Sequence, residues 1–367
     1  MRRAFVAGLA FVLAPLCARG QSAPSRPAAP SALPSLDDAA SLFVKAIERT
    51  NLLAAGTLPF HLRAQLKCSR SKGKPIEGVY DLWWGSPGRW RSETTVGGST
   101  GFVLQEAGKR WDKMSDDQQL LDLRLSKAME MEYGLHLYTG ERVAKVERHE
   151  VDGVAANCFE FVHPGQATWQ MGETFQFPSY RREVCLDAMA GLPLRKTETF
   201  SGREFEYGDY VALAMRRVPR HMLYKLNGKM LLDAQVESLD VLENPDAKLF
   251  TPPEGPPSFA WCTGFTPATP AAVSAITGGR PELMPGTSPG LGAVTAVAFV
   301  IGADGKVRDF SILDRQGFSM LVDWKLEAMR KGNYHPATCG GAPMDFPVVM
   351  EISVSPEPVT FTYIRGG

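Results

Sequence analysis

The stretch EGVYDLWWGSPGRWRSETTVGG, residues 77–98, contains two runs of alternating side chains separated by a turn. In the first run, odd-numbered residues such as Trp83 face one way and even-numbered residues such as Trp84 face the other, which is the period of a β-strand. Ser86-Pro87-Gly88 supplies turn residues, and the chain returns from Trp90. The stretch therefore predicts an antiparallel hairpin.

The same alternation recurs from Phe60 to about residue 250, in runs separated by turn pairs such as Asp152-Gly153 and Asn227-Gly228. Two segments show helical spacing instead: one runs from Leu36 to about Leu53, and the other covers residues 115–131. We expect a long antiparallel meander with one or two helices.

Composition shifts sharply to Pro, Gly, Thr and Ala over residues 251–290, which predicts a linker and a domain boundary. A compact unit follows it. A first strand leads into the tight turn Gly302–Gly305 and a returning strand. Residues 320–331 form an amphipathic helix that ends at Gly332, and residues 346–355 form the last strand.

The bulk composition limits the function classes. A chain of 367 residues suggests two domains with additional segments. Apolar residues make up 44%, which is normal for a globular protein. The 40 basic and 40 acidic residues cancel, so the composition does not indicate nucleic-acid binding.

The N-terminus has the pattern of a secretory signal peptide. Arg2 and Arg3 precede an apolar run from Phe5 to Cys17, and small residues place the cleavage site after Gly20. Residues 21–35 are rich in Pro, Ala and Ser, which predicts a disordered leader. We expect an exported, periplasmic protein with no transmembrane segment in the mature chain. The alternative is that the N-terminus is retained as an anchor.

Residues 291–357 carry a series of motifs in a specific order. They are the strand Val294–Ile301, the turn Asp304-Gly305-Lys306-Val307, the helix end Lys325–Lys331, the run Tyr334-His-Pro336-Ala337-Thr338, and Gly341-x-Pro343. This order resembles the TonB C-terminal domain family over about 65 residues. The resemblance implies a small β-β-α-β domain that binds an envelope protein partner, for example by adding an edge strand to it.

Residues 36–252 resemble the LolA-like family of periplasmic lipoprotein or lipid carriers. The resemblance rests on the order of the elements, on Gly-x-Tyr-x-x-Trp-Trp at 78–84, and on Cys-x-Asp-x-x-x-Gly-x-Pro-Leu at 185–194. It implies a curved, incomplete barrel whose concave face can hold an acyl chain. The predicted fold class is therefore α+β. A LolA-like half-barrel with helices is followed by a Pro/Gly-rich linker at 253–290, the TonB-like domain, and a tail at 358–367.

These resemblances and export to an oxidising compartment suggest a disulfide scheme. Cys262 lies in the linker and Cys339 lies in the turn before the last strand. A bond between them would remove on the order of 4 kcal/mol of unfolded-state entropy. Cys158 and Cys185 lie in successive strands and form the second predicted pair, and Cys68 stays free. The alternative is that all the thiols are packed or free.

Aromatic residues supply the candidate ligand-binding residues. They are Tyr80, Trp83, Trp84, Trp90 and Trp111. The resemblance to carriers implies that they line a lipid cavity. The alternative is that they stabilise the sheet by cross-strand packing alone. An open apolar concave face would favour binding, and a filled interior would favour packing.

Catalytic motifs are weak. Gly286-Thr-Ser288-Pro-Gly290 matches G-x-S-x-G, but it lies in the linker, and Pro289 has no N–H for an oxyanion. None of the six histidines has the spacing of a metal site. We therefore expect no catalytic residue, metal or cofactor, and no enzymatic activity.

The predicted function is a non-catalytic periplasmic protein. Its large domain binds a lipid, an acyl chain of a lipoprotein or another apolar ligand, and its small domain binds a protein partner. Two alternatives stay open at this point. One is a structural or interaction protein of the cell envelope without a small-molecule cavity. The other is a membrane-anchored energy transducer of the TonB type.

Overall fold

The computed structural model describes residues 32–129, 141–163, 166–168, 174–176, 180–199, 201–271, 293–317 and 320–353. In these residues the protein is mostly β, with a large open antiparallel sheet and few helices. The helices are α1 (Asp38–Thr50), α2 (Asp116–Met129) and α3 (Met320–Lys331). The first fifteen strands are β1 (Phe60–Cys68), β2 (Ile76–Ser86), β3 (Arg89–Val96), β4 (Ser99–Glu106), β5 (Lys109–Lys113), β6 (Arg142–Val151), β7 (Val154–His163), β8 (Gln166–Thr168), β9 (Thr174–Gln176), β10 (Tyr180–Asp187), β11 (Pro193–Glu198), β12 (Arg203–Leu213), β13 (Arg216–Leu226), β14 (Lys229–Val241) and β15 (Phe259–Ala260).

All of these strands except the β8–β9 hairpin form one sheet of thirteen strands, the large sheet. Its order is β15-β5-β4-β3-β2-β1-β14-β13-β12-β11-β10-β7-β6. The chain builds outward from β1 to β5, continues through α2, and returns from the edge strand β6 to β14. Strand β1 thus pairs on both sides, with Phe60 opposite Trp84 on β2 and opposite Val241 on β14. The predicted meander is confirmed.

Two of the predicted hairpin turns have the backbone that their sequences require. Asp152 and Gly153 have φ of 50° and 76°, and Asn227 and Gly228 have φ of 49° and 76°. Positive φ at both central residues is the geometry of a type I′ turn, which Asn-Gly and Asp-Gly favour. These turns set the registers of the β6–β7 and β13–β14 pairs.

Helix α2 starts at a reciprocal cap and then lies on the large sheet. The Ser115 amide donates to Gln118 Oε1 at 2.8 Å, and the Gln118 amide donates to Ser115 Oγ at 3.4 Å. The helix passes close to Gly78 on β2, where a Cβ would lie 2.7 Å from Thr95 O and 2.9 Å from Leu121 Cδ1. Glycine at position 78 therefore makes the close approach of α2 possible.

The C-terminal unit comprises residues 293–317 and 320–353. Its sheet has the order β18-β17-β22, where β17 is Val294–Ile301, β18 is Val307–Gln316 and β22 is Phe346–Ser353. Helix α3 lies between β18 and β22 in the chain, so the element order is the predicted strand, strand, helix, strand. The short strands are β16 (Thr269–Pro270) paired with β19 (Tyr334–His335), and β20 (Ala337–Cys339) paired with β21 (Ala342–Met344).

Part of the predicted linker is ordered and joins the two sheets. Strand β15 pairs with β5 of the large sheet, and β16 pairs with β19 of the C-terminal unit. The Phe259 ring on β15 is buried and packs edge-on against Trp261 and Phe265. Aromatic burial thus orders a segment whose Pro and Gly content predicts a loop.

The structure contains two disulfides, Cys158–Cys185 and Cys262–Cys339, which are the two pairings expected from the sequence. Cys158 and Cys185 are register partners on β7 and β10. The second bond ties the ordered linker to Cys339, the last residue of β20. Cys68 is free and buried.

Several predictions concern residues outside the described ones. They are the signal peptide, most of the leader, the G-x-S-x-G stretch at 286–290, and the C-terminal tail. No helix in the described part of the chain combines the length and the apolar sequence that a membrane crossing needs.

Glu198 at the end of β11 makes the fold sensitive to acid. Burial alone would raise the pKa of Glu198, but Lys196 and Arg203 outweigh it and lower the pKa to about 2. Ser201 Oγ also donates to Glu198 Oε2 at 2.8 Å. The stabilisation is fully present above the ordinary value of 4.5 and is lost as the pH falls toward 2.

We therefore expect Glu198→Gln to lower the free energy of unfolding by on the order of 3 kcal/mol at pH 7. The difference from the wild type should shrink as the pH falls from 4.5 toward 2, because the native carboxylate is then protonated as well. Urea unfolding at pH 7, 4 and 3 measures this. A difference that stays constant over that range would contradict the assignment.

Candidate functional site

The inner face of the large sheet is the face that α2 covers. Of the five aromatic residues predicted to bind ligand, Tyr80, Trp84 and Trp90 lie on this face and are buried. Trp83 and Trp111 lie on the opposite face, beside the short helical turn Ala247–Phe250. The structure thus does not bring the five together in one place. Their binding role stays a prediction.

The inner face is largely filled. Besides α2, the C-terminal unit contributes Val294, Ala296 and Leu313 to the same buried cluster as the inner residues of β1, β2 and β12–β14. Tyr80 and Trp84 pack within this cluster. The inner face is therefore not an open apolar surface, and a smaller cleft opens beside the filled part.

This cleft has a volume of about 260 Å³ and lies where three elements meet. Its floor is the inner face of β3–β5, one wall is α2, and the other wall is β17 and β22 of the C-terminal unit. The apolar residues that line it are Trp90, Val103, Met114, Leu123, Ala298, Phe299, Val300, Pro347, Val348 and Val349. Met114, Ala298, Val300, Pro347 and Val349 are partly exposed, whereas the side chains of Phe299 and Val348 pack in the core of the C-terminal unit. The cleft is thus an apolar space shared by both parts of the chain.

Charged side chains also line the cleft. They are Arg110, Asp112, Asp122, Lys127 and Asp309. Arg110 Nε donates to Asp112 Oδ2 at 3.0 Å across β5. The polar head group of a ligand would therefore meet charges of both signs, while the apolar part of the ligand would lie against Trp90, Leu123 and Ala298.

The seam is the contact between the C-terminal unit and the rest of the chain, and a buried ion network lies at its centre. Arg124 on α2 donates from Nη2 to Asp314 Oδ2 on β18 at 2.6 Å. Its Nε lies 3.5 Å from Glu351 Oε1 on β22. Tyr224 on β13 donates its hydroxyl to Glu351 Oε2 at 2.8 Å. Arg124, Asp314 and Glu351 have side chains that are 1–2% exposed.

The network includes Cys68, whose Sγ lies 2.9 Å from Arg124 Nη1. Burial raises the pKa of the Cys68 thiol, and Arg124 only partly opposes this. Burial alone would lower the pKa of Arg124, but Cys68, Glu351 and Asp314 outweigh it and raise that pKa. Since the thiol is protonated near neutral pH, the two carboxylates supply the negative charge that Arg124 meets.

Sequence reasoning missed this network. The available signal was Arg124 itself, which interrupts a run of leucines at positions 120, 121, 123 and 125 of an otherwise apolar helix face. A lone arginine among such residues indicates a buried partner. The partners could not be identified, because Asp314 and Glu351 lie about 200 residues further along the chain.

One group of residues in the described part has ligand atoms close enough to hold a metal ion: His149, Cys158 and Glu183. Cys158 is bonded to Cys185 and offers no thiolate. This group therefore does not qualify as a metal site.

The fold is that of a mostly β protein with a large open antiparallel sheet and few helices. No family model matches the sequence, and no curated protein matches it. Solved structures with a similar fold include a LolA superfamily protein from Nitrosomonas europaea, with 11% identity and a TM-score of 0.37 over 57% of this chain and 97% of that one. A DUF1329 family protein from Desulfovibrio piger has 12% identity and a TM-score of 0.38 over 59% and 97%.

The complex of MucA and MucB from Pseudomonas aeruginosa provides a third similar structure, with 13% identity and a TM-score of 0.26 over 73% of this chain and 81% of that one. None of the three is described as a TonB protein.

Proposed function

We propose that this chain is a non-catalytic periplasmic protein that binds a single acyl chain, or an apolar ligand of similar size, in the cleft. The observation that carries the proposal is the apolar lining of the cleft, which two sheets and α2 form together. Burying an acyl chain against such a lining is favourable by about 25 cal/mol per Å² of apolar surface removed from water.

The size of the cleft narrows the class of ligand. Sites for drug-sized molecules have volumes of roughly 300–1,000 Å³. At about 260 Å³ the cleft lies just below this range, so it suits one chain and is too small for a lipid with two. Arg110 and Lys127 can donate to a head group such as a carboxylate or phosphate, and Asp112, Asp122 and Asp309 can accept from its donors.

Periplasmic location is part of the proposal. The signal-peptide pattern of the first 20 residues supports it, and so do the two disulfides, which persist in oxidising compartments. We also propose that residues 291–357, which resemble the TonB C-terminal domain family, bind a protein partner. The intact mass of the exported protein shows whether the chain is cleaved after Gly20. Cleavage there would exclude a transducer anchored by its N-terminus.

A second candidate is an interaction protein without a ligand. The filled inner face favours it, because Tyr80 and Trp84 already pack against the rest of the chain. Native mass spectrometry of the protein purified from periplasm without detergent distinguishes the two. Extra mass that matches an acyl species and is lost on organic extraction supports the carrier. A mass without ligand, under conditions in which a known lipid carrier keeps its lipid, supports the interaction protein.

A variant that fills the cleft gives a sharper test. Ala298 lines the cleft from β17 and is only partly buried. We expect Ala298→Phe to weaken binding of dodecanoate at least 10-fold in a calorimetric titration, because the larger side chain occupies the space of the ligand. Ala212→Phe, at an exposed position on β12, is the matched control and should bind like the wild type. Equal affinity of all three proteins would exclude the cleft as the site.

A further inference from the structure

The C-terminal unit has a core of its own. Fifteen buried residues pack together there, and of these only Phe259, on β15, belongs to a strand of the large sheet. The Cys262–Cys339 disulfide ties the ordered linker to this unit. Such a body can move about its attachment at β15, because the rest of its core lies outside the large sheet.

The seam, in contrast, has little apolar content on the side of the C-terminal unit. Among the described residues, that unit adds only Val294, Ala296 and Leu313 to the fully buried cluster of the large sheet. Ala298 and Val349 of that unit are partly buried and also pack against this cluster, and polar pairs complete the seam. The pairs that cross it are Ser71 with Asp314, Arg124 with Asp314 and Glu351, Tyr224 with Glu351, Lys229 with Gln316, and Ser311 with Asp116.

The ion network is also imperfectly matched. One guanidinium faces two buried carboxylates, those of Asp314 and Glu351. Arg124 Nε and Glu351 Oε1 are 3.5 Å apart, and neither atom has a hydrogen-bond partner. These charges lose their hydration when the seam is closed, which costs free energy. Opening the seam hydrates them again and recovers that free energy. Separation at the seam therefore costs less than separation of an apolar interface of the same size.

We propose that the C-terminal unit is a separable lid on the inner face of the large sheet, closed by the buried network centred on Arg124. The unit stays attached through β15, which pairs with β5 at one edge of the large sheet. Opening uncovers the inner face of β1 and β12–β14. It also removes one wall of the cleft. The movement does not require the proposed ligand, so it is tested without one.

Cys68 is a natural reporter of the lid. It is a fully buried free cysteine, and its sulfur contacts Arg124 in the seam. We would label the oxidised full chain with N-ethylmaleimide at increasing urea concentrations and read the modification of Cys68 by peptide mass spectrometry. Circular dichroism on the same samples gives the free energy of global unfolding. The expected result is an opening free energy below the global value, with a weaker dependence on urea.

Equal free energies and equal urea dependences in the two measurements would overturn the proposal, since Cys68 would then react only in the unfolded chain. Fraying of the end of β1 is another way to expose Cys68, and a variant separates it from lid opening. Tyr224→Phe removes the hydrogen bond to Glu351 from β13 and leaves β1 and its turn unchanged.

A hydrogen bond to a charged group stabilises the closed state more than a bond between neutral groups would. We therefore expect its loss in Tyr224→Phe to speed labelling of Cys68 roughly 10-fold or more. Asp323→Asn is the control, because its ion pair with Arg315 is within the C-terminal unit and partly exposed. Unchanged labelling in Tyr224→Phe would indicate fraying and would overturn the lid.

Discussion

Replacing Arg124 with methionine is expected to lower the free energy of unfolding by about 3–5 kcal/mol. The variant keeps an apolar side chain of similar length on α2 but removes the cation that lies 2.6 Å from Asp314. It also removes the donor to Ser69 O, at 2.5 Å. Two carboxylates then remain buried without a counter-charge. Breaking one side of a buried ion pair is costly for this reason, even where the intact pair contributes little.

Urea unfolding followed by circular dichroism measures this effect, and Arg70→Met is the matched control. Arg70 pairs with Asp117 on the same helix, but both side chains are about one-third exposed. Exposed pairs of this kind contribute about 0–1 kcal/mol. If the lid opens in Arg124→Met, Asp314 and Glu351 regain water and Cys68 becomes reactive. A loss below 1 kcal/mol with Cys68 still protected would contradict the role assigned to Arg124.

Replacing Arg182 with methionine should have an effect of similar size on a different part of the fold. Arg182 on β10 donates from Nε and Nη2 to the two oxygens of Glu141, at 2.6 and 2.5 Å. The side chains are 1% and 0% exposed, and the guanidinium also stacks 4.6 Å above the Phe161 ring. Without Arg182, the buried Glu141 carboxylate loses both of these charge-assisted hydrogen bonds. We expect a loss of about 3–5 kcal/mol in urea unfolding.

The adjacent residue is the control. Arg181→Met, on the same strand but on the opposite face, breaks a pair with Glu160 in which Arg181 is 67% exposed. It should change stability by less than about 1 kcal/mol. A double variant, Arg182→Met with Glu141→Leu, should recover much of the loss, because no buried charge is then unpaired. Equal losses for Arg181→Met and Arg182→Met would exclude burial of the pair as the cause.

The elements of this fold could be predicted from local sequence. Alternation over residues 77–98 indicated the β2–β3 hairpin, and Asp152-Gly153 and Asn227-Gly228 indicated turns that the structure contains. The helix predicted at 320–331 has those bounds in the structure. These predictions succeed because strand period, turn type and helix capping depend on residues that are near one another in the chain.

The candidate site could not be predicted in the same way. The aromatic residues singled out from residues 77–111 lie on both faces of the sheet, because neighbours in a strand alternate. The ordered part of the linker depends on Phe259, whose burial no local pattern shows.

The sequence by itself determined the antiparallel meander, the element order of the C-terminal unit and the pattern of a secreted chain. Only the tertiary structure decided that the C-terminal unit covers part of the inner face, that a cleft of about 260 Å³ lies between this unit, α2 and the large sheet, and that Arg124 meets Asp314 and Glu351. The physical reason is that these features are contacts between segments up to about 230 residues apart. Packing of whole surfaces sets such contacts, and the order of neighbouring side chains does not encode them.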